Sequence, residues 1–325
     1  MTSIDKYRAL VENAILKLPQ EKRPEGLYGP IDYILSLGGK RIRPALCLAG
    51  TALFNEDAVE QSIPSALGLE IFHNFTLLHD DIMDKSPIRR NKPTVHEKWN
   101  DNTAILSGDA MLIQAYQLIA QSPINSLKRV LTVFNQTAIE VCEGQQYDMD
   151  FETRSDVSES EYLEMIRLKT GVLLGASLKV GAIIGGATDQ EIEDIYDFGV
   201  KLGVCFQLQD DWLDVFGNQE EFGKPIGGDI LNNKKTFLLI NALNNLEAND
   251  KNELIDWTKR KTFNNNEKIE AVKKLYKKAS VSTSAKELME KYYQKSMSSL
   301  QKIKGESPIK NELVSFSNIL MQRSR

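Results

Sequence analysis

The stretch FHNFTLLHDDIMD, residues 72–84, decides how the rest of the chain is interpreted. Its apolar residues recur at helical spacing, and it ends in three carboxylates, Asp80, Asp81 and Asp84. Residues four apart lie above one another on one face of a helix, so Asp80 and Asp84 present oxygens to the same region. Such like charges repel each other, and a hard cation with oxygen ligands removes the repulsion. The stretch therefore predicts the end of a long helix with a metal-binding face.

The same pattern occurs again in FQLQDDWLD, residues 206–214, where Asp210, Asp211 and Asp214 repeat the spacing. One copy alone is a weak signal, because many solvated helix ends carry it. If the two helices lie side by side, six carboxylates face one cavity, which then needs several divalent ions and an anionic ligand. Mg²⁺ fits, because it takes one or two carboxylates, keeps some waters and binds phosphates.

Helical periodicity recurs along the chain, and no strand-like alternation is sustained. Capping boxes beginning at Ser158 and Thr188 open two long helices. The chain predicts an all-α fold, a single domain over residues 1–325, built as a bundle of long helices around a deep central cavity. The predicted helices are 1–18, 44–54, 58–84, 102–121, 124–150, 159–186 and 189–216, then 236–247, 250–260, 267–279, 282–304 and 308–322, with a short helix inside the loop 19–43. A polar loop is predicted over 85–100.

The bulk composition excludes several classes of protein. The 325 residues are 42% apolar and carry a formal net charge of −5, which disfavours nucleic acid as a partner. Cys47, Cys142 and Cys205 are far apart and lack metal-type spacing, so we predict buried free thiols in a reducing, cytoplasmic compartment. The N-terminal residues show no secretory signal, and no apolar run is long enough to span a membrane.

Basic segments alternate with the acidic ones. The segment GGKRIRP, residues 38–44, has a glycine pair before the N–H groups of a helix, which suits a phosphate. Arg89 and Arg90 follow the first triad, and Lys169 lies in an apolar helix where a lysine either reaches solvent or has a function. Each segment alone is equally compatible with a surface turn or a solvated loop. Together they predict two bound diphosphates, one held through Mg²⁺ and one held directly by Lys and Arg.

These motifs, in this order, resemble those of the trans-isoprenyl diphosphate synthases, also called polyprenyl synthetases. The resemblance extends over GGKRIRP, HDDIMD, the following Arg-Arg pair, Gly108-Asp109, Lys169-Thr170-Gly171, FQLQDDWLD, Gly223-Lys224 and the lysine near position 234. It implies a Mg²⁺-dependent prenyltransferase, largely homodimeric, that condenses isopentenyl diphosphate with an allylic diphosphate. One departure is Asn91, which stands where the family usually has glycine, and we expect a small change in loop shape there.

The resemblance also implies roles for individual residues. Three Mg²⁺ ions per active site would be bound by Asp80, Asp84 and Asp210, with Asp81, Asp211 and Asp214 as outer ligands or hydrogen-bond partners. Arg89, Lys169, Lys224 and Lys234 would hold the allylic diphosphate; Lys40, Arg43, His73 and Arg90 would hold isopentenyl diphosphate; and Lys169, Thr170 and Gln207 would be the catalytic set, the last two placing oxygens near the carbocation.

The product length is expected to depend on the apolar wall beside the first triad. Phe75 lies five residues before Asp80, about 7.5 Å along the helix axis, and Phe72 about 12 Å along it. Ordinary core packing is the commoner role of such a ring. By the resemblance, Phe75 followed by the small Thr76 indicates a geranylgeranyl-type synthase, with farnesyl diphosphate as the second choice. A terpene cyclase of the same fold and a non-catalytic regulatory subunit are the alternatives.

Overall fold

The computed structural model describes residues 2–18, 23–217, 226–305 and 307–322, and helices account for most of them. A 3₁₀ turn (Glu56–Ala58), a π-helical segment (Arg167–Gly171) and two short strands, β1 (Ile88–Arg89) and β2 (Lys92–Pro93), interrupt the helices. The helices are α1 (Ser3–Leu16), α2 (Glu25–Ser36), α3 (Ile42–Phe54), α4 (Val59–Met83), α5 (Val95–Lys98), α6 (Asp101–Ile119), α7 (Ile124–Thr153), α8 (Glu159–Ile166), α9 (Val172–Ile184), α10 (Asp189–Phe216), α11 (Gly228–Leu231), α12 (Phe237–Asn245), α13 (Ala248–Lys259), α14 (Asn265–Lys278), α15 (Val281–Lys302) and α16 (Pro308–Gln322).

The predicted all-α fold is confirmed, and most predicted helices agree with the structure to within a few residues. Two local predictions were wrong. The helix expected over 159–186 is interrupted by the π-helical segment, and the loop expected over 85–100 contains the β1–β2 hairpin and α5. Neither feature has a sustained periodicity in the sequence, since each is only a few residues long. Among the described helices, none has the length and apolar character needed to cross a bilayer.

The described chain divides into two compact units. Unit 1 comprises residues 1–136, 176–196 and 303–312, and unit 2 comprises 137–175, 197–302 and 313–325. The single-domain organisation over 1–325 stays a prediction.

In unit 1, α4 is the central helix and packs against α3 and α6. Residues on several faces of α4 are buried, among them Leu69, Ile71 and Phe72, as expected for a helix surrounded by others. Glu70 is a buried carboxylate within this apolar run. The C-terminal end of α4 carries the first aspartate triad, so the packing of α4 fixes the direction in which the triad points.

In unit 2, one apolar core is shared by α8, the end of α10, and α12 to α15. Trp212, Trp257 and Tyr276 are buried in it, which anchors the end of α10 that carries the second triad. The predicted capping box at the start of α8 is confirmed, because Ser158 and Glu161 each bond the other's backbone N–H. The capping box at Thr188 and Glu191, which lies in unit 1, is present as well.

Candidate active site

The first triad lies at the C-terminal end of α4, in unit 1. Asp84 caps the helix, and its N–H donates to the carbonyl of Asp80 at 2.8 Å. The three carboxyl groups differ in exposure: Asp81 is buried, Asp80 is half-buried and Asp84 is exposed. Asp80 and Asp84 thus share the more open face that the i, i+4 spacing predicts.

Asp81 is paired within the protein. The Arg89 guanidinium donates to its two carboxylate oxygens at 2.8 Å and 2.7 Å, a bidentate arrangement. Burial raises the pKa of Asp81, and Arg89 opposes that rise. The resemblance implies that Arg89 is a ligand of the allylic diphosphate. In the structure Arg89 lies beside the triad, with its guanidinium bound to Asp81.

A two-residue hairpin turn places Arg89 and Arg90. Arg89 pairs with Lys92 across the β1–β2 hairpin, and the two turn residues, Arg90 and Asn91, have φ of 51° and 60°. Positive φ at both turn positions is characteristic of a type I′ turn, and asparagine is among the non-glycine residues that most readily adopt it. Asn91 thus takes a conformation that glycine would also take.

The glycine pair at 38–39 accommodates Arg90. Gly39 has φ of +151°, and a Cβ built there would lie 2.9 Å from Nη2 of Arg90. A side chain at Gly39 would displace that guanidinium or strain the backbone. The positive φ therefore favours glycine at position 39, and Lys40 follows it on the exposed surface.

Arg43 and His73 are also neighbours. Nη1 of Arg43 lies 3.0 Å from Nε2 of His73. A guanidinium only donates, so Nε2 must accept, which requires the neutral ring with its proton on Nδ1. Burial lowers the pKa of His73 well below its usual value, and the nearby Arg43 and Arg90 act in the same direction. Burial also lowers the pKa of Arg43, to about 10.

Arg41 and Glu70, which were not predicted as site residues, lie beside the cationic group of unit 1 formed by Lys40, Arg43 and Arg90. Arg41 is 3% exposed and has φ of 46°, and it donates to Glu12, Glu70 and the carbonyl of Leu35 at 2.7–2.8 Å. Arg41 is therefore a structural residue whose donors are used inside unit 1. Glu70 could have been suspected, since it is a lone carboxylate within the apolar stretch ALGLEIF, residues 66–72.

The second triad lies near the end of α10, in unit 2, and has a different environment. Asp211 is buried; its two oxygens accept hydrogen bonds from the Tyr162 hydroxyl at 2.5 Å and the Gln207 amide at 2.9 Å. The Gln207 oxygen in turn accepts from the Thr170 hydroxyl at 3.0 Å. Thr170 and Gln207, predicted together as catalytic residues, are thus in direct contact. Burial raises the pKa of Asp211, with the hydroxyl and amide donors acting against it.

Lys169 lies in the π-helical segment and is paired with Asp148, which was not predicted from the sequence. Its Nζ donates to Asp148 of α7 at 2.6 Å. The close approach depends on Gly144, where a Cβ would clash with the backbone of Lys169. Although burial opposes it, Lys169 and Lys234 hold the pKa of Asp148 below its usual value. Short π-helical segments are common at functional sites.

Asp214 anchors the chain that returns after the second triad. Its carboxylate accepts from the N–H of Asp229 at 3.0 Å, and its carbonyl accepts from the N–H of Gly227 at 2.6 Å. Lys234 follows shortly afterwards and interacts electrostatically with Asp148, Asp211 and Asp229. Lys224 lies outside the described residues.

The carboxylates suit Mg²⁺ bound together with a diphosphate. Within the described ranges, no three His, Cys, Asp or Glu side chains come together as a ligand set for an ion. Such a set suits a metal held by protein alone, whereas Mg²⁺ commonly uses one or two carboxylates, waters and substrate phosphates. In each triad the middle aspartate is occupied by protein donors, and the more exposed Asp80, Asp84 and Asp210 have the chemistry for such ligation.

The comparisons with known proteins identify the family of the chain. The model of the polyprenyl synthetase family matches residues 24–278, which include every predicted site residue. The chain belongs to the polyprenyl synthetase family. It is 43% identical to a geranylgeranyl diphosphate synthase of Methanosarcina mazei over 249 residues, covering 74% of this chain and 76% of the relative.

Two further relatives cover the full length. A geranylgeranyl pyrophosphate synthase of Geoglobus acetivorans is 38% identical over 327 residues, with 99% of both chains covered. A crystal structure of a geranylgeranyl pyrophosphate synthase superposes with a TM-score of 0.94 at 43% identity, covering 100% of both chains. The helical architecture of this family member is thus that of solved prenyl synthases.

Proposed function

We propose that this polyprenyl synthetase condenses isopentenyl diphosphate with an allylic diphosphate, and that geranylgeranyl diphosphate is its main product. The observation that carries the proposal is that the two triads have the same arrangement of buried and more exposed aspartates. In each, the protein's own donors occupy the buried middle aspartate, while the more exposed aspartates have the chemistry to ligate Mg²⁺. Farnesyl diphosphate is the second candidate product.

The reaction follows from charge. The allylic carbon–oxygen bond breaks, its electron pair leaves with the diphosphate, and an allylic cation remains. Bound Mg²⁺ supplies Lewis-acid stabilisation of that leaving group. Lys169, Lys234, Lys224 and Arg89 add positive charge around the same diphosphate, so the developing negative charge is neutralised. Lys169 and Arg89 now contact Asp148 and Asp81, and we propose that both extend to the diphosphate from there.

The second substrate is proposed to occupy the cationic group of unit 1. Arg43 and Arg90, with Lys40 and neutral His73, bind the diphosphate of isopentenyl diphosphate. The double bond of that substrate attacks the allylic cation and forms the new carbon–carbon bond. Bond formation leaves the positive charge on the tertiary carbon of the former isopentenyl group. A neighbouring carbon then loses a proton to the departing diphosphate, and the electron pair of its C–H bond forms the new double bond. The oxygens of Thr170 and Gln207 stabilise the cation, and apolar walls exclude water.

The test is incubation of the purified chain with labelled isopentenyl diphosphate, Mg²⁺ and allylic diphosphates of increasing length. We expect incorporation of label into a prenyl diphosphate that chromatography identifies as geranylgeranyl. A cyclic hydrocarbon made from the allylic substrate alone would instead support a terpene cyclase, and no turnover by an intact protein would support a regulatory subunit. The number of Mg²⁺ ions, proposed as three, is measured by metal titration in the presence of a diphosphate analogue.

We further propose that the protein is a homodimer of the cytoplasm. Ile105, Leu106 and Ile113 of α6 are exposed apolar side chains, which favours a covered face. The three cysteines form no disulfide, as expected in a reducing compartment, although Cys142 is exposed where a buried thiol was predicted. Light scattering should give twice the chain mass, and Leu106→Glu with Ile113→Glu should give a monomer. Ile319→Glu, at an exposed position of α16, is the control, and a monomeric wild type would contradict the dimer.

A further inference from the structure

Lys268 of α14 is a buried lysine that ion pairing does not explain. It is 1% exposed, and within the described residues its ammonium pairs with no carboxylate. Its partners are the carbonyl of Leu231 at 3.2 Å and the side-chain oxygen of Asn233 at 2.7 Å, and it lies over the Phe263 ring at 4.1 Å. Burial lowers the pKa of Lys268, so the charged lysine is held there at a cost in free energy.

The partners of Lys268 form the end of α11 and the turn that follows it. Leu231 is the last residue of α11, and its carbonyl is one that helix geometry leaves without a partner inside the helix. Asn233 has φ of +53°, a left-handed conformation that needs local support. Lys268 supplies a donor to both groups and so fixes the exit of the chain from α11.

The beginning of α11 is held by the adjacent residue of α14. Gly227 has φ of +88°, and the Ile269 side chain fills the space where its Cβ would be. The other support at this end is Asp214 of the second triad, which accepts from the N–H of Asp229. Two consecutive residues of α14 thus hold α11 at its two ends, and the triad holds it at its first turn.

Lys234 is the next residue after the supported turn. Its N–H donates to the carbonyl of Asp229 at 3.0 Å, and the side chain of Lys235 donates to the carbonyl of Asn233 at 3.3 Å. The peptide unit that precedes Lys234 is therefore held at both its N–H and its carbonyl. The ammonium of Lys234 acts on the carboxylates of Asp148 and Asp211, so its position relative to the second triad depends on this turn.

We propose that Lys268 is a positioning residue, which acts through Asn233 and the α11 turn to place the Lys234 ammonium for the allylic diphosphate. The role of Lys268 rests on the proposed function, because the ligand proposed for Lys234 is the allylic diphosphate. A lysine suits this position, since it reaches two acceptors of different geometry with one flexible, multiply donating group.

The test compares Lys268→Met with Lys274→Met, an exposed lysine of the same helix, by steady-state kinetics for each substrate. We expect Lys268→Met to raise KM for the allylic diphosphate about tenfold, the effect of roughly one lost charge-assisted hydrogen bond. KM for isopentenyl diphosphate and all constants of Lys274→Met should stay unchanged. Asn233→Gly, which keeps positive φ accessible but removes the acceptor, should shift the same constant, and it serves if Lys268→Met does not fold.

A double-mutant cycle decides whether Lys268 acts through Lys234. Lys234→Ala should raise the same KM more strongly, and adding Lys268→Met to it should have no further effect. Additive effects, or a Lys268→Met variant that behaves as Lys274→Met does, would overturn the proposal. If the wild type binds the allylic diphosphate with Mg²⁺ but condenses nothing, the proposed function fails, and the same cycle is then measured by calorimetric Kd. If the wild type does not bind it at all, both proposals fail.

Discussion

The two aspartate triads have the same sequence pattern but different surroundings. At the end of α4, the buried Asp81 is compensated by a charge, the bidentate guanidinium of Arg89. Near the end of α10, the buried Asp211 is compensated by neutral donors, the Tyr162 hydroxyl and the Gln207 amide. The first triad shares unit 1 with Arg43 and Arg90, whereas the second shares unit 2 with the acidic Asp148 and Asp229 and the basic Lys169 and Lys234.

The difference indicates how a repeated motif can contribute both to metal binding and to the stability of the fold. A carboxylate on a charged partner is held strongly, because the bidentate guanidinium compensates its negative charge directly. A buried carboxylate on a hydroxyl and an amide has no positive charge among these two partners, so a nearby cation such as Lys234 is needed to oppose the rise in its pKa. The two triads are therefore expected to contribute equally to metal binding and unequally to the fold.

The largest expected effect tests the part that the triads share. Asp80→Ala and Asp210→Ala should each lower kcat/KM for the allylic diphosphate about 1000-fold, because each removes a carboxylate that we propose as a ligand of Mg²⁺ at the leaving group. Steady-state kinetics with saturating isopentenyl diphosphate measures this. Asp101→Asn, an exposed carboxylate in the first turn of α6, is the control. A loss at only one triad would break the proposed equivalence.

A smaller effect tests the part that differs. Tyr162→Phe leaves the buried Asp211 with one donor fewer, which should lower the free energy of unfolding by about 1–3 kcal/mol. Denaturant unfolding measures the change, and activity should fall only modestly because Gln207 still holds Asp211. Tyr293→Phe removes an exposed hydroxyl that bonds Asn318 and should have little effect. Equal changes in the two variants would contradict the structural role of Tyr162.

The smallest expected effect on rate concerns the residue five positions before each triad. That residue is Phe75 in α4 and Cys205 in α10, and both are buried. Phe75 lies against Phe72 and His79 with ring centroids 5.6 Å and 4.7 Å away, whereas the Cys205 thiol donates to the carbonyl of Met289 in the core of unit 2.

Phe75→Ala should therefore lengthen the product with little change in rate, because it removes an aromatic ring that is expected to block further growth of the prenyl chain beside the first triad. Cys205→Ala is its matched control and should leave the product unchanged. Chromatography of dephosphorylated products separates the chain lengths. An unchanged product in Phe75→Ala would assign the ring to core packing alone.

The features that could be predicted from the sequence are those with a repeated spacing. The apolar period of α4 and α10, the capping boxes and the i, i+4 aspartates each follow from one helix, so the helices and the more exposed triad residues could be named in advance. Residues 2–18 and 23–217 illustrate this, since their long helices begin and end close to the predicted positions.

The residues that escaped prediction act across elements distant in sequence. Asp148 meets Lys169, Tyr162 meets Asp211, and Lys268 meets Asn233 only because helices pack side by side. The type I′ turn at Arg90 and Asn91 also escaped, because its signal is just two residues long. Such partners satisfy buried charges and strained turns, and single-residue types in a sequence do not reveal which ones will meet.

Calorimetric binding of an allylic diphosphate, with and without Mg²⁺, tests the central claim most directly. The claim is that both triads bind the diphosphate through Mg²⁺, while lysines and arginines neutralise the rest of its negative charge. We expect tight binding in Mg²⁺, a loss of at least about 100-fold in chelator, and a similar loss in Asp80→Ala and Asp210→Ala. Binding that is equally tight in chelator, or that needs only one of the two triads, would contradict it.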